Sequence, residues 1–218
     1  MFAQVESGSI TSFPKGNKGI SITTTAEVDG ENVDTTINYP RTIYTLWTEA
    51  ERNAIGIYTV VIDNTNFKDQ TFYINTDQTY TFDSDADSVT AAYGTATAKA
   101  IADVNAVDED GEALLDSDGN QVVIYGLKTK YKNQFNTQAA GLLLPTDWYV
   151  VKATEVSDYS VPSAITTYRA AVRTKVNAME TAIDNCANVE ALITLLEYTT
   201  NDAGVTSRPL GEFPDEVV

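Results

Sequence analysis

The chain has 218 residues, 43% of them hydrophobic and 21% charged, which is typical of one large or two small globular domains and excludes an intrinsically disordered chain. Its formal charge of −17 comes from 31 acidic and 14 basic residues, which excludes nucleic-acid binding through clustered lysine and arginine. There is no histidine and one cysteine, so an internal disulfide, a Cys–His pair and the commonest metal ligand are all excluded. Carboxylate chemistry stays open in principle, but no carboxylate pair has surroundings that indicate a shifted pKa. We therefore expect no enzymatic activity, no cofactor and no bound metal.

The sequence also argues against a membrane protein. No apolar run approaches the ~18 residues that a membrane-spanning helix needs. The opening MFAQVESGSI lacks the basic and apolar parts of a secretory signal, so we expect no export through a general signal peptide.

The first half of the sequence is typical of antiparallel β-structure. Ser7-Gly8 and Asp29-Gly30 each separate two strand-like runs, and an Asp-Gly pair favours a tight hairpin turn. In the second of these hairpins, Ile22 and Ile37 belong to apolar positions that alternate with polar ones, which predicts one buried and one solvated face. Further strands are predicted over 57–62, 72–75, 79–83 and 88–100, and a helix stays open as the alternative for the alanine-rich stretch 95–104.

One short helix is predicted inside this half. Thr48 is followed three residues later by Glu51, which is a capping box, and Gly56 has the position of a residue that ends a helix. The pattern predicts a helix over 48–55. Trp47 is interpreted as a core anchor beside the helix start, in preference to a carbohydrate-binding residue.

An acidic segment with two Asp-Gly pairs follows. An EF-hand calcium loop needs glycine at its sixth position, whereas counting from Asp108 or from Asp116 places glycine at the fourth. The segment therefore predicts two tight turns that bound a small hairpin, and not a calcium site.

The second half is typical of helices. Apolar residues recur at steps of three and four over 127–142 and over 165–186, which predicts one apolar face on each of two helices. Cys186 belongs to the second face, so we expect it to be buried. Asn188 is a good N-cap for a further short helix, and the last residues, 201–218, are expected to run extended.

Between the two long helices, the stretch LLPTDWYVVKA predicts another helix, with Thr146 as its N-cap. This helix would place Trp148 and Val151 on one face, and we expect Trp148 to fill a core between three helices. Tyr149 would lie nearer the rim. The residues to which we assign a structural core role are Trp47, Trp148, Tyr168 and Val172.

Two arginines of the long helix are candidates for contacts. Arg169 and Arg173 are four residues apart and therefore share a helix face. Asp147, Glu155 and a partner chain are all open as their partners. The predicted protein–protein interface consists of Tyr149, Arg169 and Arg173.

The segments LLPTDWYVVKATE, YRAAVR and RPLGEFP resemble the C-terminal region of tailed-phage tail-fibre-associated and tail-fibre-assembly proteins. The similarity covers residues 142–173 best, and QVESGSI and LWTEAERNAIGIY resemble the N-terminal part of such proteins. Phe213-Pro214 departs from the Trp-Pro that the assembly proteins often carry at this point. The β-rich front is also longer, which leaves room for a virion component.

Together these patterns predict an α+β fold with an N-terminal β-rich domain, containing hairpins and one short helix, followed by a C-terminal small helical bundle. The predicted boundaries are 1–107 for the β-rich domain, 108–124 for an acidic hairpin connection, 125–200 for the helical domain and 201–218 for the tail.

The resemblance implies a non-enzymatic structural or adaptor protein of a phage tail, baseplate or tail fibre, made in the host cytoplasm and carried in the virion. Its partners would be other phage tail or fibre proteins and further copies of itself, since such assemblies are commonly symmetric. Two alternatives stay open: a tail-fibre assembly chaperone that is not retained in the virion, and a glycan-binding fibre domain that uses exposed aromatic side chains.

Overall fold

The computed structural model describes residues 1–216, and the chain divides into two compact units, Met1–Thr97 and a second unit that begins at Ala98. The first unit is rich in strands and the second contains the long helices, which confirms the α+β class predicted from the sequence. The acidic segment and the tail belong to the same unit as the helices.

The strands of the first half range from two to nine residues in length. In chain order they are β1 (Phe2–Glu6), β2 (Ser9–Ser12), β3 (Ile20–Val28), β4 (Glu31–Tyr39), β5 (Ile57–Asp63), β6 (Tyr73–Ile74), β7 (Gln78–Asp83), β8 (Ser88–Tyr93) and β9 (Thr97–Ala98). Two short helices, α1 (Ile43–Leu46) and α2 (Glu49–Asn53), lie between β4 and β5. The helix predicted over 48–55 is α2, whereas α1 was not predicted.

A five-stranded sheet with the order β2-β1-β5-β8-β7 organises the first unit. Its neighbours are antiparallel except for β5 and β8, which run parallel. Every second residue of β1, β5 and β8 points into one core because side chains alternate between the faces of a sheet. That core contains Ala3, Val5, Tyr58, Val60, Val89 and Ala91, with Ile10 and Phe82 packed against it.

The link from α2 to β5 is fixed by a cap and a glycine. The capping box at Thr48 is complete, since its hydroxyl accepts a hydrogen bond from the Glu51 amide and its own amide donates to the Glu51 carboxylate. Gly56 has a φ of +76°, and a Cβ there would lie 2.5 Å from the carbonyl oxygen of Val5. Glycine therefore allows the chain to pass close to β1, where the Val5 amide bonds to the Gly56 carbonyl at 2.8 Å.

Strands β3 and β4 form a nine-residue-per-strand hairpin, which we call the arm. Asp29 and Gly30 both have positive φ, 52° and 83°, as a type I′ turn requires. The predicted hairpin and its turn are present, but the predicted buried face is wrong over most of its length. Only Ile22 of the arm is buried, where it packs with Ile43 and Ile57 at the arm's base, because no other element within residues 1–216 covers the outer part.

The acidic segment folds as two tight turns. The Asp108 carboxylate accepts bonds from the amides of Asp110 and Glu112, and the Asp116 carboxylate accepts them from Asp118 and Asn120. Single bridges join the residues around each turn, and a short pair of strands, β10 (Val104–Asn105) and β11 (Val123–Ile124), closes the segment. The carboxylates of Asp108 and Asp116, each two residues before an Asp-Gly pair, therefore accept backbone amides of their own turns, as in an ordinary Asx turn.

The second half contains α3 (Leu127–Leu143), a 3₁₀ turn (Leu144–Thr146), α4 (Asp147–Glu155), α5 (Ser163–Asp184) and α6 (Val189–Leu196). The apolar face predicted for the long helix is confirmed. Its seven members are all buried: Ile165, Tyr168, Val172, Val176, Met179, Ile183 and Cys186. On α3, Phe135 and Ala139 are buried on the side that packs against α5. Asn188 caps α6 as predicted, since its side chain accepts a bond from the Ala191 amide at 2.9 Å.

The tail is not extended, in contrast to the prediction. Strands β12 (Thr199–Thr200) and β13 (Thr206–Ser207) pair as a small hairpin, and Leu210 is buried beyond it. The chain is held there because Lys175 of α5 donates to the Leu210 carbonyl at 2.8 Å. Residues 217 and 218 of the predicted tail lie outside the described residues. Among the helices of residues 1–216, none has both the length and the apolar character needed to span a bilayer.

Candidate contact surface

Trp148 is 51% exposed, so the prediction that it fills a core between three helices is wrong. Within the described chain, α4 contributes no buried residue at all. The physical reason lies in the packing of α3 on α5, where Phe135, Val172 and Met179 are each at most 2% exposed and already fill the interior.

Trp148 instead belongs to an exposed apolar helix face. Leu144, Trp148 and Val151 are 69%, 51% and 52% exposed, and their spacing of four and then three residues puts them on one side of the 3₁₀ turn and α4. We call these three residues the Trp148 face. The sequence correctly placed Trp148 and Val151 on the same face but directed that face inward.

Aromatic and cationic neighbours restrain the indole. The Tyr149 ring lies 3.9 Å from the Trp148 ring, centroid to centroid, with a 33° angle between the planes. The Lys152 ammonium lies 5.7 Å from the Trp148 centroid and 4.3 Å from that of Tyr159, within the range of cation–π attraction. These contacts reduce the conformational freedom of the exposed indole.

Arg169, predicted as an interface residue, is 7% exposed and makes its contacts inside the chain, so that prediction is wrong. Of the three partners left open for it, the structure selects Asp147, whose carboxylate lies 2.7 Å from the guanidinium. The same guanidinium donates to the Leu143 carbonyl at 3.0 Å and to the Thr146 hydroxyl at 2.6 Å.

These bonds explain why the arginine is buried at that point. The last carbonyl groups of a helix have no partner within the helix. At the end of α3, the Tyr168 hydroxyl donates to the Leu142 carbonyl at 3.3 Å, while Arg169 donates to the carbonyl of Leu143. The positive charge also suits the negative end of the α3 dipole, and Asp147 suits the positive end of α4. Arg169 therefore fixes the turn from which the Trp148 face projects.

Thr146 holds the N-cap position of α4 as predicted, but its side chain does not cap the helix. Thr146 has helical φ and ψ values of −104° and −1°, and its side chain makes no cap bond. Its hydroxyl donates to the Leu143 carbonyl at 2.7 Å and accepts from Arg169. The 3₁₀ turn continues α3 into α4, so the hydroxyl is used for that junction and not for a helix start.

The remaining candidate residues are divided between surface and interior. Arg173 is exposed on α5, and Tyr149 is partly buried beside Trp148. Tyr168 and Val172 are buried at 4% and 0%, whereas Trp47 belongs to the first unit, partly buried against the cluster that contains Ile43. The structure therefore brings only Tyr149 and Trp148 together on one accessible surface. Leu144 was missed, although its position four residues before Trp148 was a readable signal.

Chemically reactive groups are not concentrated at this surface. Burial raises the pKa of the Cys186 thiol, which lowers its thiolate fraction at neutral pH. Within residues 1–216, three or more side chains of the metal-binding types do not converge anywhere.

No protein-family model, curated protein or solved structure matches this chain. Function is therefore inferred from the surface and from the residues that carry the resemblance.

Proposed function

We propose that the protein is a non-enzymatic adaptor of a phage tail, baseplate or tail fibre, and that the Trp148 face is where it binds another tail or fibre protein. The observation that carries the proposal is the exposure of three large apolar side chains, Leu144 in the 3₁₀ turn and Trp148 and Val151 in α4, at spacings of four and three residues. Single exposed apolar residues are ordinary on protein surfaces, whereas aligned ones on a rigid element are typical of contact sites.

The energetics favour Trp148 as the centre of that contact. A tryptophan side chain can bury about 150–250 Å², so covering the exposed half would contribute on the order of 2–3 kcal/mol at about 25 cal/mol per Å². Tryptophan is also the residue type most enriched at positions that dominate interface affinity. Leu144 and Val151 would surround it with further apolar area.

The surface is supported from behind by buried contacts. Arg169 joins α5 to the turn between α3 and α4, so the Trp148 face is held on a fixed junction. A pre-ordered surface loses less entropy on binding than a mobile one. Trp148 is half-exposed and does not pack in the interior of its own unit. Packing within the unit therefore does not explain a large apolar side chain at this position, whereas a contact with another protein does.

The resemblance supports the same assignment. The segment LLPTDWYVVKATE carries most of the similarity to tail-fibre-associated and tail-fibre-assembly proteins, and this is the segment that presents the Trp148 face. A shared segment at the surface is more readily explained by a shared partner than by shared core packing.

The first experiment compares Trp148→Ala with Leu115→Ala, a change at a residue of the same unit that is 55% exposed but lies outside the Trp148 face. Each variant is co-expressed with the tail and fibre proteins of its phage and recovered through a tag. We expect Trp148→Ala to lose the captured partner while Leu115→Ala retains it. Equal capture by both variants would refute the assignment of this face.

Mass spectrometry of purified virions then separates the adaptor from the assembly chaperone. The polypeptide should be present in the particle if it is an adaptor, and its absence, with capture intact, would favour the chaperone. An exposed aromatic pair also suits the apolar face of a sugar, which keeps a glycan-binding fibre domain as the second candidate. Glycan-array binding that Trp148→Ala abolishes would favour that candidate.

A further inference from the structure

We infer that the arm pairs with the arm of a second copy of this chain, edge to edge along β4, about a two-fold axis at Thr35. The inference concerns the first unit and goes beyond the proposed function, on which it does not depend. It rests on three properties of the arm: its amphipathic faces, its unpaired edges and its separated charges.

The two faces of the arm differ sharply in polarity. One face carries the cross-strand pairs Ile22–Ile37 and Ala26–Val33. On the opposite face, hydroxyl and carboxylate groups bond to one another across the strands, as Thr25 does to Asp34 at 2.6 Å. Three apolar side chains of the first face are 44–51% exposed: Val28, Val33 and Ile37. The pair Thr24–Thr35 interrupts this apolar face at its middle, Glu31 lies opposite Val28 on it, and the face is covered only at its base.

The outer edge of β4 is ready to pair. A two-residue turn makes Val28 and Glu31 a hydrogen-bonded pair, so alternate residues from Asn32 to Asn38 direct their backbone N–H and C=O groups outward. Within residues 1–216, neither outer edge of the arm pairs with a further strand. A lone two-stranded hairpin is marginal in water, and an exposed edge is a template for another strand.

One antiparallel register lets the outward backbone groups of β4 in each copy form hydrogen bonds with those of the other copy. With Thr35 on the axis, Asp34 faces Thr36 of the second copy, and both present their outward N–H and C=O groups to each other. The same register places Val33 opposite Ile37 of the second copy, which continues the apolar face across the junction. The β3 edge would instead pair Ala26 with Ile22, a residue that its own unit already buries. The β4 edge is favoured for that reason.

The distribution of charge along the arm favours an antiparallel arrangement of two copies over a parallel one. Residues 20–39 contain four acids and no base, and the acids lie toward the tip: Glu27, Asp29, Glu31 and Asp34. The basic residues Lys15, Lys18 and Arg41 flank the base of the arm, are exposed, and form no ion pair within residues 1–216. The proposed register puts Asp29 beside Arg41 of the second copy, whereas a parallel arrangement would bring the acidic tips together.

Cysteine cross-linking tests the register directly. Thr35→Cys would meet its own counterpart on the axis, and facing residues of an antiparallel pair lie about 4.5–5.5 Å apart at Cα, within reach of a disulfide. Thr24→Cys, directly across the arm from Thr35, is the matched control on the other edge. The native Cys186 is buried and is present in both variants. We expect mild oxidation to give covalent dimers of Thr35→Cys and few of Thr24→Cys.

A charge swap tests the partner's orientation in the full-length chain. Glu31→Lys and Arg41→Glu each place like charges diagonally across the proposed pair, and the two-fold axis doubles the effect. We expect each to weaken dimerisation, measured by analytical ultracentrifugation, by about tenfold, and the double variant to recover part of the loss, because position 41 still lies beside Asp29 of the second copy. A wild-type chain that is monomeric at high concentration, a preference for Thr24→Cys dimers, or a double variant weaker than either single one would overturn the inference.

Failure of this dimer would leave the proposed function untouched, because capture through the Trp148 face is measured separately. Glu31→Lys should bind the tail or fibre partner as the wild-type chain does at equal protein concentration, if the two surfaces act independently.

Discussion

Replacing Arg169 with methionine should destabilise the helical unit far more than removing the charge of its partner. Methionine fills much of the aliphatic volume of arginine but removes the donors to Leu143 and Thr146, which lie at 3.0 and 2.6 Å. Hydrogen bonds from a charged donor contribute about 1.5–3 kcal/mol each, and the Leu143 carbonyl keeps one bond, from Thr146. We therefore expect a loss of about 3 kcal/mol in the free energy of unfolding.

Asp147→Asn gives the contrasting result. The Asp147 side chain is 51% exposed, so water screens its ion pair with Arg169 and solvates the carboxylate when the pair is broken. Ion pairs of this kind contribute at most about 1 kcal/mol. The expected order is therefore a large effect for Arg169→Met and a small one for Asp147→Asn.

Urea unfolding of the full chain, followed by circular dichroism at a helix-sensitive wavelength, measures this difference because the long helices all belong to the second unit. Arg173→Met is the matched control, since that arginine is exposed on the same helix and should change stability by less than about 0.5 kcal/mol. If Asp147→Asn cost as much as Arg169→Met, the ion pair and not the bonds to the end of α3 would dominate, and the reasoning would fail.

Two further predictions follow from burial. Trp148→Ala should lower the free energy of unfolding by less than about 1 kcal/mol, whereas Met179→Ala, at a side chain 1% exposed, should lower it by about 2–5 kcal/mol; similar losses in urea titrations would contradict the placement of the indole. Burial, together with the hydrogen bond to Asp87, raises the pKa of Tyr58 to about 12. Because the folded state disfavours the phenolate, this contribution to stability is complete below the unfolded pKa of about 10 and is lost as the pH rises towards 12. Tyr58→Phe should flatten that part of the stability–pH curve of the sheet, and an unchanged slope would count against the assignment.

The helical core could be predicted because helix periodicity is a local property. Every buried residue of α5 with an apolar side chain lies on the face that steps of three and four predict, and Asn188 caps α6 through a bond three residues away. Arg169 was misplaced for the opposite reason. Besides Asp147, its partners are the Leu143 carbonyl, at the end of a helix 26 residues earlier, and the Thr146 hydroxyl, and a sequence does not show which helix end will lie beside it.

The sheet shows the same limit. The hairpins of β1–β2 and β3–β4 have short turns and could be predicted, whereas the parallel pairing of β5 with β8 joins strands separated by other strands and could not. The tail was expected to be extended because it is rich in glycine, proline and acids. It folds back because Leu210 is buried and Lys175 binds its carbonyl, contacts that composition does not reveal.

The two largest errors in predicted burial, at the arm and at Trp148, have the same physical cause. In the arm and at Trp148, the sequence predicted the correct face of the correct element, but the structure leaves that face exposed. Hydrophobic periodicity shows that one face of an element is apolar. It does not show whether that face is buried by another part of the same chain or by another molecule. A net charge of −17 opposes indiscriminate association, so contacts between chains must combine apolar area with matched charge. The arm has both, since its acidic tip and basic base are complementary in an antiparallel pair. The Trp148 face has the apolar area, and the charge beside it is the Lys152 ammonium, 5.7 Å from the centroid of the indole.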